Sequence, residues 1–83
     1  MQQDDIQAAF ARILEEVAEV DRAATARDNR LREDLGIDSL ALIDLAVAAE
    51  DAFGILIPDE ELERFRTVGD VVDHIRRRSR VAA

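Results

Sequence analysis

Ile6, Phe10, Ile13, Leu14 and Val17 recur at steps of four, three, one and three, which is the period of a helix with one apolar face. Such a face has to be covered by something, and 83 residues supply one small core and no more. A chain of this length buries only a little over about 60% of the surface its unfolded form exposes. With no cysteine in the sequence, neither a disulfide nor a thiolate metal site can brace so thin a core. Packing helices on one another is the simplest way to close it. The expected fold is all-α, a four-helix bundle forming a single domain over 1–83.

Asp4 and Asp5 offer caps and negative charge for a first helix over about 4–19. Residues 20–38 have weak periodicity and turn formers at Asp28, Asn29 and Gly36. A connection that long in a small bundle is more often functional than idle, and Leu31, Leu35 and Ile37 are placed to pin it. Residues 39–53 are the most apolar segment, with Ser39 expected as N-cap and Gly54 as the stop. Ile57-Pro58-Asp59-Glu60-Glu61 then reads as a new start, with proline just inside a third helix over about 58–65. Leu62 and Phe65 are its inward residues. Thr67 and Asp70 form a capping-box-like opening to a fourth helix over about 67–79, with Val68, Val71, Val72 and Ile75 as its apolar stripe. His74 is expected to face solvent. Arg76, Arg77, Arg78 and Arg80 complement the negative end of this helix dipole, and the tail beyond is expected to fray.

Charge removes several function classes. There are 19 Asp and Glu against 11 Arg, a net charge of −8, and four of those arginines fall at 76–80, so residues 1–75 carry 19 acids against seven cations. A nucleic-acid backbone needs a cationic face, whereas this chain favours partners with basic patches. The start, Met-Gln-Gln-Asp-Asp, lacks the basic and apolar regions of a signal peptide. The apolar stretch 40–49 is broken by Asp44 and is far too short to span a bilayer. A cytoplasmic monomer is the expectation. Asp34, Gly36 and Asp38 superficially suggest a calcium loop, but the ligand series is incomplete, and the twelfth position from Asp34 is Leu45, not Glu. No metal site and no nucleophile–base constellation stands out, so an enzyme is not expected.

Helix two carries a pattern that packing alone does not demand. At 100° per residue, Leu42, Leu45, Ala46, Ala49 and Phe53 gather on one side, and Leu40, Asp44, Val47 and Asp51 on the other, with Glu50 on a flank. An exposed stripe that alternates apolar and acidic residues reads as a docking strip, in which Leu40 and Val47 give contact and the carboxylates steer a basic partner. Isolated apolar residues are also ordinary on protein surfaces. Ser39, one of two serines with Ser79, stands where an attached phosphate would meet unpaired backbone N–H groups and the positive end of a helix. A plain N-cap serine is the alternative.

The run Asp34-Leu35-Gly36-Ile37-Asp38-Ser39-Leu40, the apolar and acidic helix behind it, Ile57-Pro58-Asp59-Glu60-Glu61 and Thr67-Val68-Gly69-Asp70 together resemble the acyl carrier proteins over nearly the whole chain. The resemblance implies a carrier: a phosphopantetheinyl transferase, using coenzyme A and Mg²⁺, would join 4′-phosphopantetheine to Ser39, and the thiol of that arm would hold acyl groups as thioesters. The reactive sulfur then comes from the cofactor, which suits a chain without cysteine. Asp38 matches the family's acidic residue before the serine. Asp44, Glu50 and Asp51, with Leu40 and Val47, match positions that meet basic patches on acyltransferase, ketosynthase or acyl-ligase type enzymes. Cargo in such carriers lies between helices two and three, which here implies a lining of Leu45, Ala46, Ala49, Ile57, Leu62, Phe65 and Val71. Ala41, two positions after the serine, departs from the polar residue common there and, with the arginine-rich end, tilts the reading from primary fatty-acid synthesis toward a polyketide or other specialised route. A stand-alone peptidyl carrier is the nearest alternative, although Gly36-Ile37-Asp38-Ser39 lacks its paired glycines. An unmodified acidic interaction module is a further one.

Overall fold

The apolar period of the first segment becomes helix α1, Gln3–Ala18, whose Ile6, Phe10, Ile13 and Leu14 are buried. The computed structural model describes residues 3–79, with side chains from Asp5 onward; the Asp4 side chain, expected as a cap, and the tail from Arg80, expected to fray, lie outside what is described. Val17 does not join the core: it sits 39% exposed where α1 is about to end. Glu19 turns left-handed at φ 56°, the Val20 N–H donates to the Leu14 carbonyl at 3.1 Å, and Val20 takes the buried place instead.

Three more helices follow, α2 (Ser39–Phe53), α3 (Asp59–Leu62) and α4 (Val68–Arg78), with a 3₁₀ turn at Arg22–Ala24 and no β-strand among the described residues. Helix α1 packs against α2 and α4, and α3 rests on α2. The core between them holds Leu45, Ala49 and Phe53 from α2 and Val68, Val71, Val72 and Ile75 from α4, closed by Leu31, Ile37, Ile55 and Ile57 from the connections. Gly54 ends α2 at φ 65° and donates its N–H to the Glu50 carbonyl, a left-handed cap that glycine adopts without a Cβ penalty.

Two helix ends differ from the sequence reading. Pro58 is the N-cap of α3, not a residue inside it. The helix stops at Leu62, because the Arg64 and Phe65 N–H groups reach back only three residues, to Glu61 and Leu62, and tighten the chain into a turn. Thr67 caps α4 and forms a complete capping box with Asp70.

His74 also differs from the sequence reading. It is 1% exposed, its Nε2 lies 3.5 Å from the Leu56 carbonyl, and Phe65 meets its ring edge-on at 5.3 Å. Helix α4 is covered from two sides, by α1 and by the chain around Phe65 and Leu56. Its buried arc is therefore wide enough to include a residue three positions after Val71.

The long connection is tied to the opening of α4. Gly69 N–H donates to Arg27 O, Val68 N–H to Asn29 O, and Leu31 N–H to Arg66 O. Arg30 and Thr67 form an isolated antiparallel bridge. The Arg27 guanidinium grips both oxygens of Asp73 at 3.1 and 2.9 Å, and Leu31 and Ile37 are buried beneath, with Leu35 half-buried.

Candidate functional site

Asp38 is the N-cap of α2, where the sequence reading placed Ser39. Its Oδ1 accepts the Ala41 N–H at 2.9 Å, and its extended backbone lets its carbonyl accept the Leu42 N–H. A carboxylate is a strong acceptor at this position and complements the helix dipole. Ser39 is therefore the first residue of the helix. It is exposed, and its hydroxyl is not spent on the cap.

The neighbour of that hydroxyl comes from across the loop. Gly36, at φ 68°, a left-handed value that favours glycine, closes a turn in which Gly36 N–H donates to Arg32 O and Ile37 N–H to Leu31 O. The turn folds residues 31–32 back onto the start of α2. Arg32 Nη2 lies 3.5 Å from Ser39 Oγ. An exposed hydroxyl on the first turn of a helix, where N–H groups have no intrahelical acceptor, fits a phosphate ester well.

Leu40, Asp44, Val47 and Asp51 all lie on the exposed face of α2, with Leu40 75% and Val47 56% exposed. Ile43, 48% exposed, widens this apolar strip and was absent from the sequence reading, although its spacing of three from Leu40 and four from Val47 would have revealed it. Glu50 faces a different way. It is half-buried, and its Oε2 accepts the Ile57 N–H at 2.7 Å, so it organises the turn between α2 and α3. Leu56 in that turn is 77% exposed.

Of the expected cargo lining, Leu45, Ala46, Ile57, Leu62, Phe65 and Val71 surround one seam, together with Phe10 and Leu42. Its volume is only about 10 Å³, room for little more than a water-sized probe. Ala49, fully buried, is not among its walls. A larger open groove of about 780 Å³ lies beside it, walled by Ser39, Leu42 and Ile43 of α2, Leu62 and Phe65, and the loop around Arg30–Glu33. Leu42, Leu62 and Phe65 border both spaces and so form the partition between them. Among the described residues no group of acidic or histidine side chains is arranged to hold a metal ion, and no helix is long and apolar enough to cross a membrane.

Residues 5–75 match the family model for a phosphopantetheine attachment site. The meromycolate extension acyl carrier protein of Mycolicibacterium smegmatis is 43% identical over 75 residues, 90% of this chain and 76% of that protein. The acyl carrier protein of Rhodococcus erythropolis is 40% identical over 75 residues, 90% of this chain and 82% of that one. Among solved structures, the acyl carrier protein of Thermotoga maritima matches with a TM-score of 0.84 at 31% identity, covering 100% of this chain and 96% of that chain.

Proposed function

The chain belongs to the acyl carrier protein family: it carries acyl groups as thioesters on a 4′-phosphopantetheine arm, and we propose that Ser39 is the residue that bears the arm. The observation that supports this is the division of roles at the start of α2. Asp38 caps the helix and Ser39 presents an exposed hydroxyl on its first turn. When bound, the arm supplies the thiol that holds the acyl group. The residues of this chain hold the ester linkage, keep it at the surface and offer partners a surface to dock on.

The family works with a phosphopantetheinyl transferase and with enzymes of acyl biosynthesis. The docking surface in our reading is Leu40, Ile43 and Val47 flanked by Asp44 and Asp51, and it fits a basic patch beside a partner's tunnel. Acyltransferase, ketosynthase and acyl-ligase types are the partners this surface suits, with the chain acting as carrier and not as catalyst. Coenzyme A supplies the arm, which makes the cytoplasm the fitting compartment. The resident cargo is an acyl chain of the fatty type, as the name of the Mycolicibacterium relative suggests. Its first carbons enter the groove beside Ser39 and, once Leu62 and Phe65 part, the seam between α2 and α4.

Incubation with coenzyme A, Mg²⁺ and a broad-specificity transferase tests this reading through the intact mass. The expected result is a gain of one phosphopantetheine by the wild type and none by Ser39→Ala. An unmodified wild type, under conditions that modify another carrier, overturns it.

A further inference from the structure

Arg32 is out of place for an acidic carrier. It stands seven residues before Ser39, yet the Gly36 turn brings its Nη2 to 3.5 Å from Ser39 Oγ. Arg22, Arg27, Arg30, Arg64 and Arg76 each pair with a carboxylate, whereas Arg32 pairs with none among the described residues. Arg66 lines the same groove and is likewise without an acidic partner among them. The Leu31 N–H bond to the Arg66 carbonyl, at 2.8 Å, locks the two arginine-bearing segments side by side. Glu33, Asp59 and Glu63 share the groove, but none of them forms an ion pair with either arginine. In a chain of net charge −8, the Arg32 guanidinium, bound to no carboxylate among the described residues, is the cation placed beside the Ser39 hydroxyl.

We propose that Arg32 is an anion-binding residue for the phosphodiester that joins the arm to Ser39, and that it folds the base of the arm into the groove. The inference rests on the reading of Ser39 as the attachment residue. A phosphodiester carries one negative charge on two non-bridging oxygens, and a guanidinium presents a planar fork of donors to such a pair. An Nη already 3.5 Å from Oγ is in reach of the non-bridging oxygens, two bonds beyond Oγ. Beyond the phosphate the arm continues through one methylene to a carbon bearing two methyl groups. The groove offers Leu42, Ile43, Leu62 and Phe65 to cover them, and its volume of about 780 Å³ falls within the roughly 300–1,000 Å³ of small-molecule sites. The contact is ionic and exposed, so added salt weakens it.

Holo-protein with an isotopically labelled arm tests this by NMR, comparing wild type, Arg32→Gln and Arg66→Gln. Intact mass confirms the arm in each, and amide spectra confirm the fold. In the wild type the phosphorus resonance is displaced from that of the same phosphodiester in the urea-unfolded holo-protein, and the arm methyls show contacts to Ile43 or Leu62 that fade at high salt. Arg32→Gln is expected to lose both features, and Arg66→Gln to keep the phosphorus displacement. Identical phosphorus shifts and methyl contacts in wild type and Arg32→Gln overturn the proposal while leaving Ser39 as the attachment residue. Order that arises only when a dicarboxylic acyl group is loaded also overturns it, because the anion is then the cargo's. A wild type that takes up no arm overturns this proposal and the reading beneath it together.

Discussion

The Asp38 carboxylate accepts the Ala41 N–H at 2.9 Å, and that bond determines what its neighbour does. Serine is itself a good N-cap. Had Ser39 filled that position, its oxygen would have been directed at the backbone. With the aspartate one residue earlier, the helix begins at Ser39 and the hydroxyl faces solvent.

This arrangement ranks two neighbouring substitutions. Asp38→Ala is expected to cost about 1 kcal/mol, within the roughly 0.5–2 kcal/mol range of lost N-caps, and Asp38→Asn much less. Ser39→Ala, a surface change, stays within about 0.5 kcal/mol. Urea denaturation of the unmodified proteins measures all three, and a larger loss for Ser39→Ala would contradict the cap assignment.

Acid should loosen the tie between the long connection and α4. The forked hydrogen bonds from Arg27 hold the Asp73 carboxyl below its usual range against partial desolvation, with the charges of Arg27, Arg76 and Arg77 assisting. A depressed carboxylate contributes stability that is present in full above its ordinary value of about 3.9, and that stability is lost as pH falls through the lower folded value. Asp73 and Arg27 are partly exposed, with side-chain exposures of 28% and 42%, so solvent screening keeps the contribution small. Asp73→Asn should lower the urea midpoint at pH 6, and the gap from wild type should close as the pH drops below about 4. A gap that stays constant would assign the loss to packing.

Asp44→Arg reverses a charge in the middle of the exposed strip without touching the core. A several-fold fall in kcat/KM with a basic partner enzyme is expected at low ionic strength, mostly through KM and shrinking as salt is added. The thermal midpoint should hardly move. Unchanged kinetics with several partners would remove Asp44 from the docking surface.

Phe65→Ala removes part of the partition between groove and seam. Half-buried, Phe65 should cost about 2 kcal/mol, less than the roughly 3–5 kcal/mol of a fully buried phenylalanine. An octanoyl thioester on the variant should react more slowly with hydroxylamine than on the wild type, because the joined space shelters more of the chain. Equal or faster reaction would place the cargo elsewhere.

The helical architecture was legible because apolar residues such as Ile6, Phe10 and Leu14, or Val68, Val72 and Ile75, advertise a buried face by period alone. The exposed strip of α2 was legible for the same reason. Residues whose surroundings are set by other parts of the chain were not. His74 is buried because Leu56 and Phe65 close over α4, and no pattern within α4 records that. Arg32 reaches Ser39 only through a left-handed turn at Gly36. Ser39 and Asp38 are both good caps, and which one takes the role depends on backbone dihedrals that adjacent polar residues do not announce.

Peptide mapping of the modified protein tests the central claim most directly. Trypsin cuts after Arg32 and next after Arg64, so residues 33–64 form one peptide in which Ser39 is the sole serine, while Ser79 leaves in a separate fragment. The account predicts that after treatment with coenzyme A and a transferase the mass of phosphopantetheine is found on the 33–64 peptide and fragments to Ser39. Phosphopantetheine on any other residue, or none on that peptide, would contradict it.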